Sequence, residues 1–172
     1  MLRKFVVTLF VIVSFILQCS VFGHIAFAGI IPNMMIVLTA SFGFMRGEKE
    51  GLVIGFFCGL LNDIFFGNFL GFYALVLMYI GYLNGKFSRI FYPEDIKLPL
   101  ALIVTSDLSY GTLCYILLFM LRGKFQFVYY FSHVILPEVL YTIVVTLFFY
   151  PLVLKVNEKL EARERRRAQK YV

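Results

Sequence analysis

The sequence predicts an all-α membrane protein with about six transmembrane helices and both termini in the cytoplasm. Two observations, one on composition and one on sequence pattern, predict this fold class. The 172 residues are 61% hydrophobic and only 15% charged, which is more apolar surface than a soluble domain of this length can bury. The apolar residues also fall into long runs separated by short polar segments. A third observation, the one-sided distribution of Lys and Arg, gives the orientation.

The six predicted helices follow the apolar runs at residues 5–22, 30–45, 51–66, 69–83, 98–121 and 134–154. The first run follows Arg3 and Lys4 and is longer than the apolar part of a usual signal peptide, so we expect an uncleaved membrane span. The second and third contain Pro32 and several glycines and are candidates for irregular or partly re-entrant helices. Residues 1–154 are therefore predicted to form one transmembrane domain, and residues 155–172 a basic cytoplasmic tail.

The orientation follows from the basic residues. Lys and Arg are enriched in the cytoplasmic segments of membrane proteins. If both termini are cytoplasmic, fourteen of the sixteen Lys and Arg residues lie in cytoplasmic segments. These are Arg3, Lys4, Arg46, Lys49, Lys86, Arg89, Lys97, Lys155, Lys159, Arg163, Arg165, Arg166, Arg167 and Lys170. Arg122 and Lys124 remain outside. Seven of the basic residues lie in the tail, so the net charge of +6 indicates a membrane surface or a topology anchor rather than nucleic acid.

The third segment carries a strip of small residues at every fourth position. Residues four apart lie close to one face of a helix, and these positions are Gly47, Gly51, Gly55, Gly59, Asp63, Gly67 and Gly71. In a membrane, small residues let two helix backbones approach closely. We therefore predict that this glycine strip is a binding surface for a partner's transmembrane helix. For Asp63 the sequence leaves two interpretations open, a carboxylate facing that partner and a solvated or helix-terminal one.

Two further carboxylates are candidates for polar groups inside the membrane, where each charge needs protein or water around it. Asp107 is the deepest, and the neighbouring hydroxyls of Thr105, Ser106 and Ser109 are candidate partners in an internal polar network. Glu138 follows Pro137, so we expect it in the first turn of a helix, where the helix dipole favours a carboxylate.

Sequence patterns of enzymes and cofactor proteins are not found. The chain has no G-x-S-x-G, P-loop, G-x-G-x-x-G or H-E-x-x-H pattern, and its two histidines, His24 and His133, are far apart. We therefore expect no catalytic residue, no cofactor and no metal site.

The motifs of the second to fourth segments resemble a known family. Pro32-Asn33 followed by an apolar helix, then Arg46-Gly47 and the run E-G-L-V-I-G-F-F-C-G-L-L-N-D-I-F-F-G-N-F-L-G-F-Y-A-L, are similar to the pattern of the bacterial rod shape-determining membrane protein MreD. Length, six-span layout and short basic tail are similar as well. The specific part of the resemblance covers Pro32 to about Leu83.

The resemblance implies a non-enzymatic, multi-pass protein of the bacterial plasma membrane that acts in lateral cell-wall synthesis. It implies binding to the scaffold MreC, and through it to the actin-like filament MreB, the glycan polymerase RodA and its transpeptidase. It also implies a fold similar to the substrate-capturing subunits of energy-coupling-factor vitamin transporters. The alternative function is therefore a solute-binding transporter subunit, in which Asp63, Asp107 and Glu138 converge on a small ligand.

The orientation predicts which positions an impermeant thiol reagent reaches in intact cells. In a background without Cys19, Cys58 and Cys114, single cysteines introduced as Glu48→Cys, Glu94→Cys and Glu164→Cys should stay unlabelled, because they are cytoplasmic. Gln126→Cys should be labelled. Labelling of Glu164→Cys without permeabilisation would overturn the topology.

Overall fold

The protein is described by a computed structural model, which covers residues 2–24, 26, 29–67, 69–88, 97–123 and 125–169. Helix α1 (Leu2–Leu17) continues through a π-helical turn at Gln18–Phe22. It is followed by α2 (Met34–Arg46), α3 (Glu48–Phe66), α4 (Phe72–Phe87) and α5 (Lys97–Leu118). After a short 3₁₀ turn at Met120–Arg122, the chain forms α6 (Phe127–Tyr130), a π-helical segment (Phe131–Ile135) and α7 (Leu136–Ala168). The predicted charge positions Arg89, Lys124 and Lys170, and the labelling position Glu94, lie outside the described residues.

Each of the six predicted apolar segments contains one of these helices, and the described residues contain no β-strand, which confirms the all-helical prediction. Within the described part of the chain, three helices are long and apolar enough to cross a membrane, at Arg3–Phe22, Lys97–Leu118 and Phe127–Glu164, and Met34–Arg46 is a shorter apolar helix. Six crossings therefore remain a prediction. The boundary at residue 154 between the transmembrane domain and the tail is also still a prediction. Helix α7 continues past that residue without a break.

Helix α2 is the centre of the fold. Its residues from Met34 to Phe44 are all buried, and it contacts α1, α3, α4, α5 and α7. A helix that is apolar on every side has to be enclosed by protein or lipid, and here the other helices of the chain enclose it. With 13 residues and a rise of 1.5 Å per residue, α2 is only about 20 Å long, which is shorter than the helices around it.

The glycine strip brings α3 and α4 together as an antiparallel pair. A Cβ atom added at Gly51 would overlap the carbonyl oxygen of Gly81, and one added at Gly55 would overlap that of Leu77. At Gly59 it would overlap the backbone of Tyr73 and Ala74. The two backbones are therefore in direct contact, which is the packing that small residues allow between membrane helices.

Helix α2 joins this contact through another glycine. A Cβ at Gly43 would lie 2.7 Å from the Gly81 carbonyl oxygen, and one at Gly51 would lie 2.7 Å from the Gly43 Cα atom. Gly43, Gly51 and Gly81 thus form the point at which α2, α3 and α4 meet. Helix α3 is a regular α-helix from Glu48 to Phe66, which corrects the expectation of an irregular third segment.

The structure corrects the prediction that the strip binds a partner. Gly51, Gly55, Gly59 and Asp63 are buried, because α4 of the same chain already covers them. The remaining strip positions lie at helix ends. Gly47 and Gly71 have positive φ angles of 93° and 99°, a left-handed region that favours glycine, and the Gly67 N–H closes α3 by donating to the Asp63 carbonyl. The sequence was right about a close helix contact and wrong about which chain supplies the second helix.

Asp63 joins the two helices at their connection. Its carboxylate accepts hydrogen bonds from the backbone N–H groups of Gly71 (3.0 Å), Tyr73 (2.8 Å) and Ala74 (2.9 Å). Gly71 is the cap residue before α4, and Tyr73 and Ala74 belong to its first turn, where N–H groups have no partner within the helix. The helix-terminal interpretation of Asp63 is therefore the one that the structure supports, although the helix that it caps is α4 and not its own.

The helix ends that carry the basic residues lie together at one end of the body. The Arg3 guanidinium pairs with Glu50 at 2.5 Å and with Glu164 at 2.9 Å, and the backbone of Gly85 contacts that of Glu48. The starts of α1 and α3, the end of α4 and the last part of α7 are thus on the same side. This is the arrangement that two cytoplasmic termini require, and the side of the membrane stays a prediction.

Gly55→Ala tests the close contact of α3 with α4. The added Cβ would overlap the Leu77 carbonyl group, so we expect the free energy of unfolding in detergent to fall by about 1–3 kcal/mol. Thermal unfolding followed by circular dichroism measures it. Gly23→Ala is the matched control, because Gly23 has helical backbone angles and open space around it. Equal stability of the two variants would contradict the contact.

Asp63→Asn tests the cap on α4. Asparagine offers one acceptor oxygen where the carboxylate offers two, so the N–H groups bound to the second oxygen lose their partner. We expect a loss of about 1–3 kcal/mol in the same unfolding measurement. Glu158→Gln, the same chemical change at an exposed position of α7, should have no measurable effect. An unchanged unfolding midpoint for Asp63→Asn would show that the cap contributes little.

Candidate functional site

The start of α2 lies inside the helical body and forms a polar junction. The first four N–H groups of a helix have no partner within it, and in a membrane no water replaces that partner. Here the side chain of Gln18, in the π-helical turn that continues α1, accepts hydrogen bonds from the N–H groups of Met34 (2.9 Å) and Met35 (3.3 Å). Asn33 accepts one from the N–H of Ile36 at 3.3 Å. Side chains therefore satisfy the donors at this buried helix end.

Helix α7 supplies the other half of the junction. The Asn33 N–H donates to the Thr142 hydroxyl at 3.1 Å, and the Asn33 side-chain amide donates to the Glu138 carboxylate at 3.3 Å. Glu138 thus lies beside the N-terminal end of α2, where the dipole of that helix favours a negative charge.

The sequence predicted Glu138 in the first turn of its own helix, and α7 does begin at Leu136. However, the chain is already helical from Phe127, so no free helix end lies at Glu138. The helix end that the carboxylate meets is that of α2. The predicted first-turn position is confirmed, and the free helix end beside the carboxylate is that of α2.

Beyond the start of α2 lies a cavity of about 430 Å³, which we call the junction cavity. Its polar lining residues are Gln18, Asn33, Asn62, Arg122 and Glu138, and its aromatic ones are Phe66, Tyr73, Tyr110, Phe119 and Tyr130. Ile31, Pro32, Gly111, Cys114 and Leu118 complete the wall. Its size is typical of small-molecule sites, and its lining combines polar and apolar side chains.

One polar group of the junction cavity has no partner in the described part of the chain. Asn62 is 6% exposed, and its side-chain oxygen is buried without a hydrogen bond. Buried polar atoms in proteins are almost always paired. The oxygen of Asn62 therefore marks a position at which a bound molecule with a donor would be stabilised.

Asp107 lies next to the junction but does not line the cavity. It is 2% exposed, and neither of its carboxyl oxygens has a hydrogen-bond partner among the described residues. The Thr142 hydroxyl approaches it from α7, and Glu138 is near enough to interact with it electrostatically.

The local hydroxyls predicted as partners of Asp107 bond elsewhere. Thr105 donates to the Ala101 carbonyl, Ser109 donates to the Thr105 carbonyl, and Ser106 accepts from Asn84 at 2.7 Å. The two hydroxyls of Thr105 and Ser109 fold back onto their own helix, as serine and threonine often do in helix interiors. The predicted polar network around Asp107 is therefore wrong in its members, and Asp107 faces α7 instead.

The three carboxylates of the transporter hypothesis do not all converge. Asp107 and Glu138 are near enough to interact electrostatically, but Asp63 caps α4, and of the three only Glu138 lines the junction cavity. The sequence analysis missed Gln18, Asn62 and Thr142 as site residues. Gln18 was detectable as an amide within an otherwise apolar first segment, and Asn62 as the neighbour of Asp63.

A second polar cluster lies at the opposite end of α2. Arg46 has a side chain that is 5% exposed, and it donates to Asn157 of α7. It is also 3.6 Å from Glu50 and 3.9 Å from Glu164, the two carboxylates that Arg3 contacts. These contacts hold α1, α2, α3 and α7 together at this end. Among the described residues, no group of three or more metal-binding side chains comes together anywhere.

A model of a known protein family matches this chain. The family described as rod shape-determining protein MreD matches residues 1–160, a range that includes the α3–α4 contact, the polar junction and every residue of the cavity. This match confirms the resemblance found in the sequence. The curated proteins and the solved structures compared with the chain gave no match, so the similarity to energy-coupling-factor transporter subunits stays a prediction.

Proposed function

The chain belongs to the MreD family of rod shape-determining proteins, and from this membership we propose that it is a non-enzymatic, multi-pass component of the bacterial plasma membrane. In this proposal it binds an MreC-like scaffold and helps to organise lateral peptidoglycan synthesis. The MreB-like filament, the RodA-type glycan polymerase and its transpeptidase are indirect partners. The family match over residues 1–160 is the observation that carries the proposal.

The close packing of the helices supports the proposal. Three helices meet through backbone contacts at Gly43, Gly51 and Gly81, and close packing of this kind leaves little freedom for relative movement. A component that positions other proteins needs such a body. Because α4 fills the glycine strip, we place the scaffold contact on the outward faces of the helices, where large apolar side chains such as Phe57, Tyr79 and Phe148 are exposed.

A second candidate function is a solute-binding membrane subunit of a vitamin or small-molecule transporter. The junction cavity favours it, because about 430 Å³ is enough for a small ligand and Glu138 supplies a carboxyl group at its wall. The two functions differ in what the cell loses when the protein is removed.

Depletion in rich medium, followed by microscopy of cell width, decides between the two functions. If the protein helps to position wall synthesis, precursor chemistry continues without spatial order, so rods should widen and become round before they lyse. Re-expression of the Gly23→Ala variant should restore normal width. A growth defect that excess vitamin relieves, with unchanged width, would contradict the shape-determining function and support the transporter subunit.

The scaffold contact is measured in the same strain. Co-purification of the MreC-like scaffold with a tagged copy of this chain is expected at normal abundance of both proteins. Its absence, in a strain whose width depends on the chain, would show that the chain acts on shape without this contact.

A further inference from the structure

We propose that the junction cavity binds a zwitterionic ligand with a primary ammonium group and a neighbouring phosphate, the chemistry of a phosphatidylethanolamine headgroup. The ammonium group is placed at Glu138 and Asn62, and the phosphate at Arg122. This inference goes beyond the proposed function and does not depend on it.

Two hydrogen-bond acceptors of the cavity, on Asn62 and Glu138, can bind a ligand that carries a hydrogen-bond donor. The Asn62 oxygen is buried and unpaired, and the Glu138 carboxylate accepts from the neutral Asn33 amide and takes part in no ion pair within the described ranges. Both groups are acceptors, and one of them is an acid. A primary ammonium carries three N–H donors and a positive charge, so it can bond to both.

The walls suit a cation as well. Tyr73, Tyr110 and Tyr130 line the cavity, and the rings of Tyr73 and Tyr110 lie 6.1 Å apart between centroids. The faces of aromatic rings attract ammonium groups, most strongly where water is excluded. An anionic or purely apolar ligand would gain nothing from Glu138 at the same wall.

Arg122 provides the site for the phosphate. It is the basic residue in the cavity lining, it is exposed, and it lies in the 3₁₀ turn that follows α5. Helix α5 is long and apolar enough to cross the membrane, so its end is at the depth where lipid headgroups lie. The guanidinium group binds phosphate oxygens in a bidentate manner.

The apolar part of the lining favours a lipid over a free solute. Leu118 and Phe119, at the end of α5, and Phe66, at the end of α3, line the same cavity as Arg122. A phospholipid whose phosphate is bound at Arg122 can lay the first carbons of its acyl chains against these side chains. A soluble phosphoethanolamine would use the same polar contacts and leave this surface uncovered.

Calorimetric titration of the full-length protein in detergent tests the proposal with four probes. These are dihexanoyl-phosphatidylethanolamine, dihexanoyl-phosphatidylcholine, dihexanoyl-phosphatidylglycerol and O-phosphoethanolamine. We expect saturable binding of the first and at least about tenfold weaker binding of the second and third, because choline has no N–H donor and glycerol has no charge. Equal binding of the phosphatidylglycerol probe would overturn the proposal.

Variants assign the contacts. Glu138→Gln keeps the oxygen that accepts from Asn33, so the polar junction is preserved while the charge is lost, and Arg122→Gln changes an exposed side chain. Each should lower the affinity for the phosphatidylethanolamine probe by about tenfold or more. The control variants Glu158→Gln and Arg163→Gln, at exposed positions of α7, should leave that affinity unchanged. Thermal unfolding confirms that each variant is folded. Unchanged affinity of folded Glu138→Gln or of Arg122→Gln would contradict the site.

The fourth probe distinguishes the sources of the ligand. Weaker binding of O-phosphoethanolamine than of the dihexanoyl lipid supports a membrane lipid. Equal affinity supports the same polar site with a soluble ligand, and it would overturn the assignment of the apolar lining to acyl chains. None of these outcomes depends on cell width, so failure of this proposal and failure of the shape-determining function are distinguishable.

Discussion

The buried start of α2 is the constraint on which the site depends. A helix of 13 residues is too short to cross the body that surrounds it, so one of its ends has to lie inside that body. The N–H groups at this end need acceptors, since an unpaired polar group away from water is costly. Three side chains supply these acceptors: Gln18 in the π-helical turn after α1, Asn33 at the cap of α2, and Thr142 in α7. The junction cavity occupies the space that α2 does not reach.

The glycine contacts explain how α2 can be enclosed at all. Helices with ordinary side chains pack with their axes about 8–10 Å apart, whereas backbone contact at Gly51 and Gly81 brings α3 and α4 closer. Helix α2 packs against this pair of helices, and its Gly43 contacts the backbones of Gly51 and Gly81. In water the glycines of α3 would weaken the helix by about 1 kcal/mol each relative to alanine. In a membrane protein the closer packing offsets this cost.

The sequence predicted elements better than contacts. The six apolar segments each contain a helix, because hydrophobicity is a local property of the chain. The glycine strip predicted a close helix contact, but spacing alone does not tell whether the second helix belongs to the same chain. Gly81 and Gly85, four residues apart on the next helix, were the available sign that it does. The contacts of Gln18 with Met34 and of Thr142 with Asn33 join residues 16 and 109 positions apart, and no local pattern indicates such pairs.

Helices α2 and α7 are joined by polar contacts at both ends of α2, and these contacts set the register of the two helices. At one end Asn33 bonds to Thr142 and Glu138, and at the other Arg46 bonds to Asn157. A shift of α7 along α2 would break both sets of contacts at once, so each holds the other in place. Between these ends, Val145, Tyr150 and Val153 of α7 belong to apolar clusters that include α2 residues, and such contacts alone would not fix the register because the hydrophobic effect has no direction. Hydrogen bonds have a direction, and those at the two ends of α2 fix its register against α7, the longest of the described helices.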